Sequence, residues 1–501
     1  MELKEAKEAE AEKITGAIED KKARSELKLA LEECRALILE NSLDLKVQLI
    51  NPAIEAERVN EQEARFEALF SVDAEYRESE KAIENFWDII YGNKKNTINI
   101  NPGIEIPLRS GGTIRSNVTD IRDESNALPI FVKNNPSYSS DLSLSINHPL
   151  LRNAGKRAAT YSIQLFDYNR QIVSAQTKQA AANIIAQADQ VYWNLYAARM
   201  LLDVRRQEHD LAKDLFEETE RLVEIGMKSE IELLRTRTGV SSSLERTIKA
   251  ENTVRNMERN LKRMLNKPGL GVKTDTALIL STDPDPVHYE FDREQMVKNA
   301  IENRMDMLEM ELRLDWDNSA IEYSRNQLHP ILNLYYAYNI SGTGGKRDDS
   351  YDMLFENKYV DHTVNLYASV PLGNRAAKSS LNQAIYTRAR RLSSIENKKA
   401  MIKNEVLKDI DQLEASWQKI LASRQTALYS GRQYEAEKHQ YELGMRTAND
   451  VLQAQKDLAE ARVMEILALT QYQVDLINLA YSTGTLLGAA RIDLDAVVPG
   501  E

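Results

Sequence analysis

The chain has 501 residues and a net charge of −12, with 28% charged, 42% hydrophobic and 7% aromatic residues. That acidity excludes general nucleic-acid binding, which needs a basic footprint, and the single cysteine, Cys34, excludes an internal disulfide and a cysteine-based metal centre. No apolar run reaches the roughly 18 residues a membrane-spanning helix needs, so no helix is expected to span a membrane.

Residues 1–26 read as a charged extension of Glu, Lys and Ala, without the apolar centre of a signal peptide. Cys34 sits in Leu31-Glu-Glu-Cys-Arg, a helical and charged setting unlike that of a lipidation site. Glu40-Asn41-Ser-Leu-Asp44 follows. A first strand is expected at about 69–77, where Phe70, Val72, Ala74 and Tyr76 alternate with Ser71, Asp73 and Glu75. The segment from Arg77 to Ser140 contains an extra hairpin over 104–118, turning at Gly111-Gly112, whose place is left open. A second strand at about 140–148 pairs Leu142, Leu144 and Ile146 with Ser143, Ser145 and Asn147 and ends at Pro149-Leu150.

No proline occurs between Pro149 and Pro268, and good helix formers dominate. A helical hairpin over 153–266 turning at Gly226 is therefore expected. Its first arm runs for roughly 70 residues, about 100 Å, too long for a compact globule. Then the same order returns. Glu302-Asn303-Arg-Met-Asp306 repeats the earlier acidic motif, and strands are expected at about 331–340 and 363–370. Pro371-Leu372 repeats Pro149-Leu150, and a second hairpin over 374–484 turns at Gly444. Tyr441-Glu-Leu-Gly444-Met-Arg-Thr-Ala-Asn-Asp450 aligns with Val223-Glu-Ile-Gly226-Met-Lys-Ser-Glu-Ile-Glu232. The chain thus divides into the extension, a first repeat over 27–262, a second over 263–490 and a tail over 491–501. In the last arm Val451, Leu452, Leu458, Ala461, Leu467 and Leu469 make a narrow apolar seam of the coiled-coil kind.

The four strands have one apolar and one polar face, and the polar face is Ser, Asn, Asp and small residues with few Lys or Glu. Tyr336, Tyr338, Tyr351 and Tyr359 cluster as an interfacial girdle would. Four strands cannot close a barrel in lipid, and an open edge there is not permitted, so several chains must share one. Gly342-Thr-Gly344-Gly345 lacks the Lys-Ser/Thr of a phosphate loop and reads as a flexible strand connection. The six histidines are scattered without metal-ligand spacing, and no nucleophile, base or acid pair suggests catalysis. At the turns Gly226 and Gly444 let the backbone leave a helix. Ser229 with Glu232, and Thr447 with Asp450, have capping-box spacing for the returning helices.

The run Gly444-Met-Arg-Thr447-Ala-Asn-Asp450-Val-Leu452-Gln-Ala454-Gln455-Lys-Asp-Leu458 resembles the hairpin signature of the TolC family of outer-membrane efflux proteins. Pro330, the two Pro-Leu pairs and the two Glu-Asn-x-x-Asp motifs are similar to that family's pattern, over about residues 27–490. The resemblance implies a mainly α chain with a membrane β-barrel. Three copies would each give four strands to a shared twelve-stranded barrel, and their long helical hairpins would form a periplasmic tunnel. A belt around it would use the N-terminal helix, about 267–299 and the C-terminus. It implies an outer-membrane exit duct, without enzymatic activity or cofactor. Such ducts dock to a periplasmic adaptor and an inner-membrane pump or ABC transporter, in tripartite efflux or type I secretion. The barrel requires an export signal, so either the start lies upstream of Met1 or the signal has been removed.

The same resemblance assigns gating contacts to Tyr441 and Arg446 and a constriction acid to Asp450, with Gln453 standing where a second acid is usual. Lys228 and Glu232 take the corresponding places in the first hairpin. Gly226, Met227, Ser229, Gly444, Met445 and Thr447 are the tip residues that would touch an adaptor. Exported cargo is not encoded in any motif. The rival reading is a soluble coiled-coil scaffold with a small β domain, which would leave the apolar strand faces uncovered.

Overall fold

The structure is a computed structural model and describes residues 25–490. Residues 1–24 of the charged extension and the 491–501 tail lie outside the described residues. In chain order, β1 (Glu26–Leu29) leads into α1 (Leu31–Asn41) and α2 (Leu43–Glu63). Next come β2 (Leu69–Glu80), α3 (Phe86–Tyr91), β3 (Lys94–Pro107), β4 (Thr113–Ser125) and β5 (Ser137–Pro149). The long helices α4 (Tyr161–Glu224) and α5 (Glu230–Leu265) follow, then β6 (Ala277–Leu280), α6 (Arg293–Asn303) and α7 (Met305–Asn326). The chain continues through β7 (Ile331–Gly344), α8 (Arg347–Phe355), β8 (Val360–Ser369), α9 (Arg375–Glu442) and α10 (Ala448–Ser482). Among the described residues no helix is long and apolar enough to cross a membrane.

Two compact units emerge. One contains residues 51–174 and 308–396, the other the residues up to Ile50, Ala175–Met307 and those from Asn397 onward.

The first unit is built on one antiparallel sheet in the order β2-β3-β4-β5-β7-β8. Four strands were expected and all four are present. The extra hairpin, β3 and β4, lies between β2 and β5 and corrects the sheet from four strands to six. Local period located this hairpin but not its pairing, because register is a property of non-local partners. Phe70, Ile104, Ser116, Leu144, Tyr338 and His362 are successive partners across the six strands, so they share a face. Val72, Pro102, Val118, Leu142, Ile340 and Val360 form the next row of that face. Most of its large apolar side chains are exposed, Phe70 at 64% and Val364 at 70%. The opposite face carries Ser71, Asp73, Asn101, Asn117, Ser143 and Asn339.

The glycine run at 342–345 is a second correction. It is not a flexible connection: β7 continues to Gly344, paired with Tyr138 through Ser140 of β5. The glycines have no side chain because α8 lies directly on them. A Cβ on Gly342 would collide with the Ser350 carbonyl. Ser140 and Ser350 hydroxyls bond at 2.8 Å, and Arg347 pairs with the nearly buried Asp120 at 2.9 Å.

The second unit buries its core around Tyr192, Trp193, Leu195, Leu261 and Leu278. Two short strands that no period could reveal, β1 and β6, pair in parallel there from Glu26↔Ala277 to Leu29↔Leu280. Cys34 is 1% exposed, and burial pushes its thiol up to about 12, so it is inert packing. Arg35 forks onto the buried Asp189, Nε to Oδ1 at 2.9 Å and Nη2 to Oδ2 at 2.6 Å. The Asn303-Arg304 break between α6 and α7 is also held by charge. Arg304 bonds Asp306 and Glu405, each at 2.8 Å, and the Ser482 carbonyl at 3.0 Å. Burial would raise the Asp306 carboxyl, but bonds from Arg304 and Lys398 outweigh it and hold it at about 2.

Candidate functional site: the two hairpin tips

Both tips lie in the second unit, and both begin with the same backbone event. Gly226 and Gly444 each adopt φ +77°, a left-handed conformation that ends the helix. Gly226 N–H donates to the Val223 carbonyl at 2.9 Å and Met227 N–H to Leu222 at 2.8 Å. Gly444 N–H donates to Tyr441 at 3.0 Å and Met445 N–H to Gln440 at 2.9 Å. Nothing lies within 4 Å of a Cβ built on either glycine, so the requirement is conformational rather than steric. Met227 and Met445 are 68% and 73% exposed, with Ile225 and Leu443 exposed beside them.

The returning helices start differently. At the second tip the expected capping arrangement is present. Thr447 donates to Asp450 Oδ2 from its N–H at 3.0 Å and from its hydroxyl at 2.9 Å. These bonds, the backbone one foremost, hold the Asp450 carboxyl below the usual range. At the first tip the expected Ser229–Glu232 box is absent, since the Ser229 side chain makes no cap bond. Glu232 instead crosses to the other hairpin, accepting the Ala448 N–H at 2.8 Å on Oε2 and Arg235 at 2.8 Å on Oε1. A buried carboxylate thus sits at the N-terminus of α10, where the helix dipole favours negative charge. The side chain that caps its own helix in one tip caps the neighbour's in the other.

Tyr441 is fully buried among Leu215, Ala448 and Val451. Its hydroxyl donates to Thr219 Oγ1 at 2.8 Å, while Thr219 donates to the Leu215 carbonyl at 2.6 Å. Burial raises the Tyr441 phenol, with the Thr219 bond opposing, so it stays neutral. Lys228 places its ammonium 4.3 Å from the Tyr441 ring centre and 3.5 Å from the Arg446 carbonyl. The Arg446 guanidinium turns back along α9, to Glu437 and Gln440 at 3.1 Å each. Gln453 is exposed and donates to Asp457 at 2.8 Å. The structure therefore joins Lys228, Tyr441 and the Arg446 backbone, and joins Glu232 to the start of α10. It leaves Gln453 with Asp457.

Thr219, Arg235, Glu437 and Asp457 were not picked out from the sequence. Asp457 had a usable signal, as an acid one turn beyond Gln453 on the same face. Thr219 had none, because its partner is 222 residues away. Gly239 carries no local signal in the sequence either. A Cβ there would lie 2.6 Å from a Leu452 methyl, so glycine lets α5 approach α10. Among the described residues no group of three or more His, Cys, Asp or Glu is placed to hold a metal ion.

Residues 122–267 and 296–485 match the family described as "Outer membrane efflux protein". The Escherichia coli K12 outer membrane protein TolC is 22% identical over 325 residues, covering 63% of this chain and 64% of that protein. The Salmonella enteritidis TolC is 26% identical over 208 residues, covering 40% of this chain and 42% of its own length. The chain therefore matches less than two thirds of either relative's length. Among solved structures, a Pseudomonas aeruginosa membrane protein superposes with a TM-score of 0.67 at 14% identity, over 91% of this chain and 90% of that one. The Campylobacter jejuni CmeC outer membrane channel gives 0.65 at 14%, over 93% and 90%. The open Neisseria gonorrhoeae MtrE outer membrane channel gives 0.63 at 14%, over 91% and 89%. At these identities the likeness establishes the fold.

Proposed function

This chain belongs to the outer membrane efflux protein family, and from that premise we propose that it is a subunit of an outer-membrane exit duct. The family is one of efflux proteins rather than enzymes. Three copies share one barrel in the outer membrane, and their helical hairpins continue as a periplasmic tunnel. Substrate passes through passively. A periplasmic adaptor engages the hairpin tips and links them to an inner-membrane pump or ABC transporter.

The observation that carries this reading is the sheet. It exposes a broad apolar band across all six strands, and its outer strands, β2 and β8, are each paired on one side only. An apolar face of that size needs cover, and lipid supplies it if the edges are closed by other copies. The scaffold alternative provides no such cover.

At the periplasmic end the tips act as an iris. Asp450, Arg446, Tyr441 and Gln453 in the second hairpin, with Lys228 and Glu232 in the first, form its closed contacts. In a trimer one Asp450 per chain makes a ring of three carboxylates, which attracts cations. Gly226, Met227, Ser229, Gly444, Met445 and Thr447 meet the adaptor, and the exposed methionines supply an adaptable apolar contact. The division into repeats over 27–262 and 263–490 belongs to the same reading, and the matching backbones of the two tips support it.

The test is the particle extracted by detergent from cells exporting the full chain. A trimer in the outer-membrane fraction is expected. A monomer released without detergent would overturn the channel.

A further inference from the structure

We infer that the barrel of the assembled channel has eighteen strands, six from each copy, so that residues 94–125 are barrel wall and not an external loop. This rests on the trimeric reading above and adds to it the make-up of the wall.

Pairing is the first ground. β3 follows β2 from Leu69↔Glu105 to Glu80↔Lys94, and β4 follows β5 from Thr113↔Asn147 to Asp123↔Ser137. The strands that a four-stranded unit would join directly, β2 and β5, are thus separated by two full-length strands. With β2 and β5 placed as they are, a hairpin lying outside the wall would leave each with an unpaired edge, which lipid does not tolerate.

Facing is the second. Ile98, Ile100, Pro102, Ile104 and Ile106 lie on the same face as Tyr76, Ala74, Val72 and Phe70. The stretch from Ile98 to Ile106 matches the roughly 9–11 residues of a tilted transmembrane strand. Over the span from Ile98 to Ile106 polar pairs of the hairpin fall on the other face, Thr119 with Asn101 at 3.1 Å and Arg115 with Glu105 at 2.8 Å, while Asp120, Arg122 and Glu124 bring charge onto the apolar face only toward the end of the sheet far from the turn. A hairpin folded outside the wall would have no reason to keep this alternation in step with its neighbours.

Span is the third. The turn between β3 and β4 reaches the rim where β5 hands over to the helices. Gly155 N–H donates to the Ser110 carbonyl at 3.0 Å, and Arg109 sits 5.8 Å from the centre of the Phe66 ring. Gly111, at φ +97°, has no room for a Cβ against the Asn153 carbonyl. The hairpin therefore crosses the whole height of the sheet.

Closure follows from parity. Six alternating strands bring β8 of one copy antiparallel to β2 of the next, as an even count requires. Barrel diameter grows roughly linearly with strand number, so the outer-membrane opening is about 1.5 times that of a twelve-stranded barrel.

Cys34 is the only cysteine and is buried, so single added cysteines can be spin-labelled in the full chain. Phe70→Cys, Ile104→Cys and Asn101→Cys trimers are reconstituted in liposomes, and collisions with oxygen and with a water-soluble nickel chelate are compared. Labels at 70 and 104 should prefer oxygen, and the label at 101 the chelate. If 70 reports lipid and 104 reports water, the hairpin lies outside the wall; the inference fails while the membrane reading stands. If both report water, the membrane reading fails and the inference falls with it. Ile100→Cys serves in place of Ile104→Cys should that variant not assemble. Counting strands in electron-microscopic density of the trimer gives the direct check, eighteen against twelve.

Discussion

The two hairpin tips share a backbone and differ in where their acids reach. Both glycines sit at φ +77°, and both returning helices start three residues later in the same extended cap conformation. Yet Asp450 bonds Thr447 of its own turn, whereas Glu232, one methylene longer, bonds the Ala448 N–H of the other hairpin. One tip is self-contained and the other holds its neighbour. The lesson is that a local motif specifies a turn, while side-chain length and packing decide which helix the acid serves.

The largest expected effect comes from breaking the cross-hairpin bond. Glu232→Ala removes the acceptor of a buried N–H and the partner of Arg235, at a cost of about 2–3 kcal/mol. Amide exchange at 448–451 should accelerate and the unfolding midpoint should drop. Glu232→Asp should lose the reach to Ala448 yet permit a local box with Ser229. If Ala448 protection is unchanged in both variants, the cross-hairpin cap is not what holds α10.

Next come the glycines. Gly226→Val and Gly444→Val each force a β-branched residue into the left-handed region, costing at least about 1–2 kcal/mol. Because neither site is crowded, the two losses should be similar. A large inequality in thermal unfolding would show that the turns are not equivalent. Export assays on the same variants test adaptor contact, and full activity would remove the tips from that interface.

Tyr441→Phe should cost about 1 kcal/mol, since Thr219 keeps its bond to Leu215 and loses only the phenol. If the tips form an iris, closed-channel conductance in planar bilayers should rise as well.

Asp450→Asn should have the smallest effect on stability, under about 1 kcal/mol at an exposed cap. Its sign with pH is determinate. The folded carboxyl lies below its unfolded value, so its contribution is present above the ordinary carboxylate range and disappears as pH falls through the lowered one. Parent and Asp450→Asn melting curves should differ at neutral pH and converge in acid. In bilayers the substitution should weaken cation block, and an unchanged block would exclude Asp450 from the constriction.

What the sequence determined by itself was whatever a short stretch of backbone encodes. Alternation at 69–77 or 331–340 follows from the strand period of two, the proline-free stretches rich in good helix formers read as long helices, and a glycine followed by Ser or Thr marks each turn. Those rules also found the 104–118 hairpin, and the TolC-like order was legible from the same motifs. Tertiary structure alone decided three things: that β3 and β4 stand between β2 and β5, that α8 presses Gly342–Gly344 into strand, and that Glu232 serves α10 rather than α5. Each depends on partners far apart in the chain, and such pairings are selected by register, packing and side-chain reach, none of which has a local period.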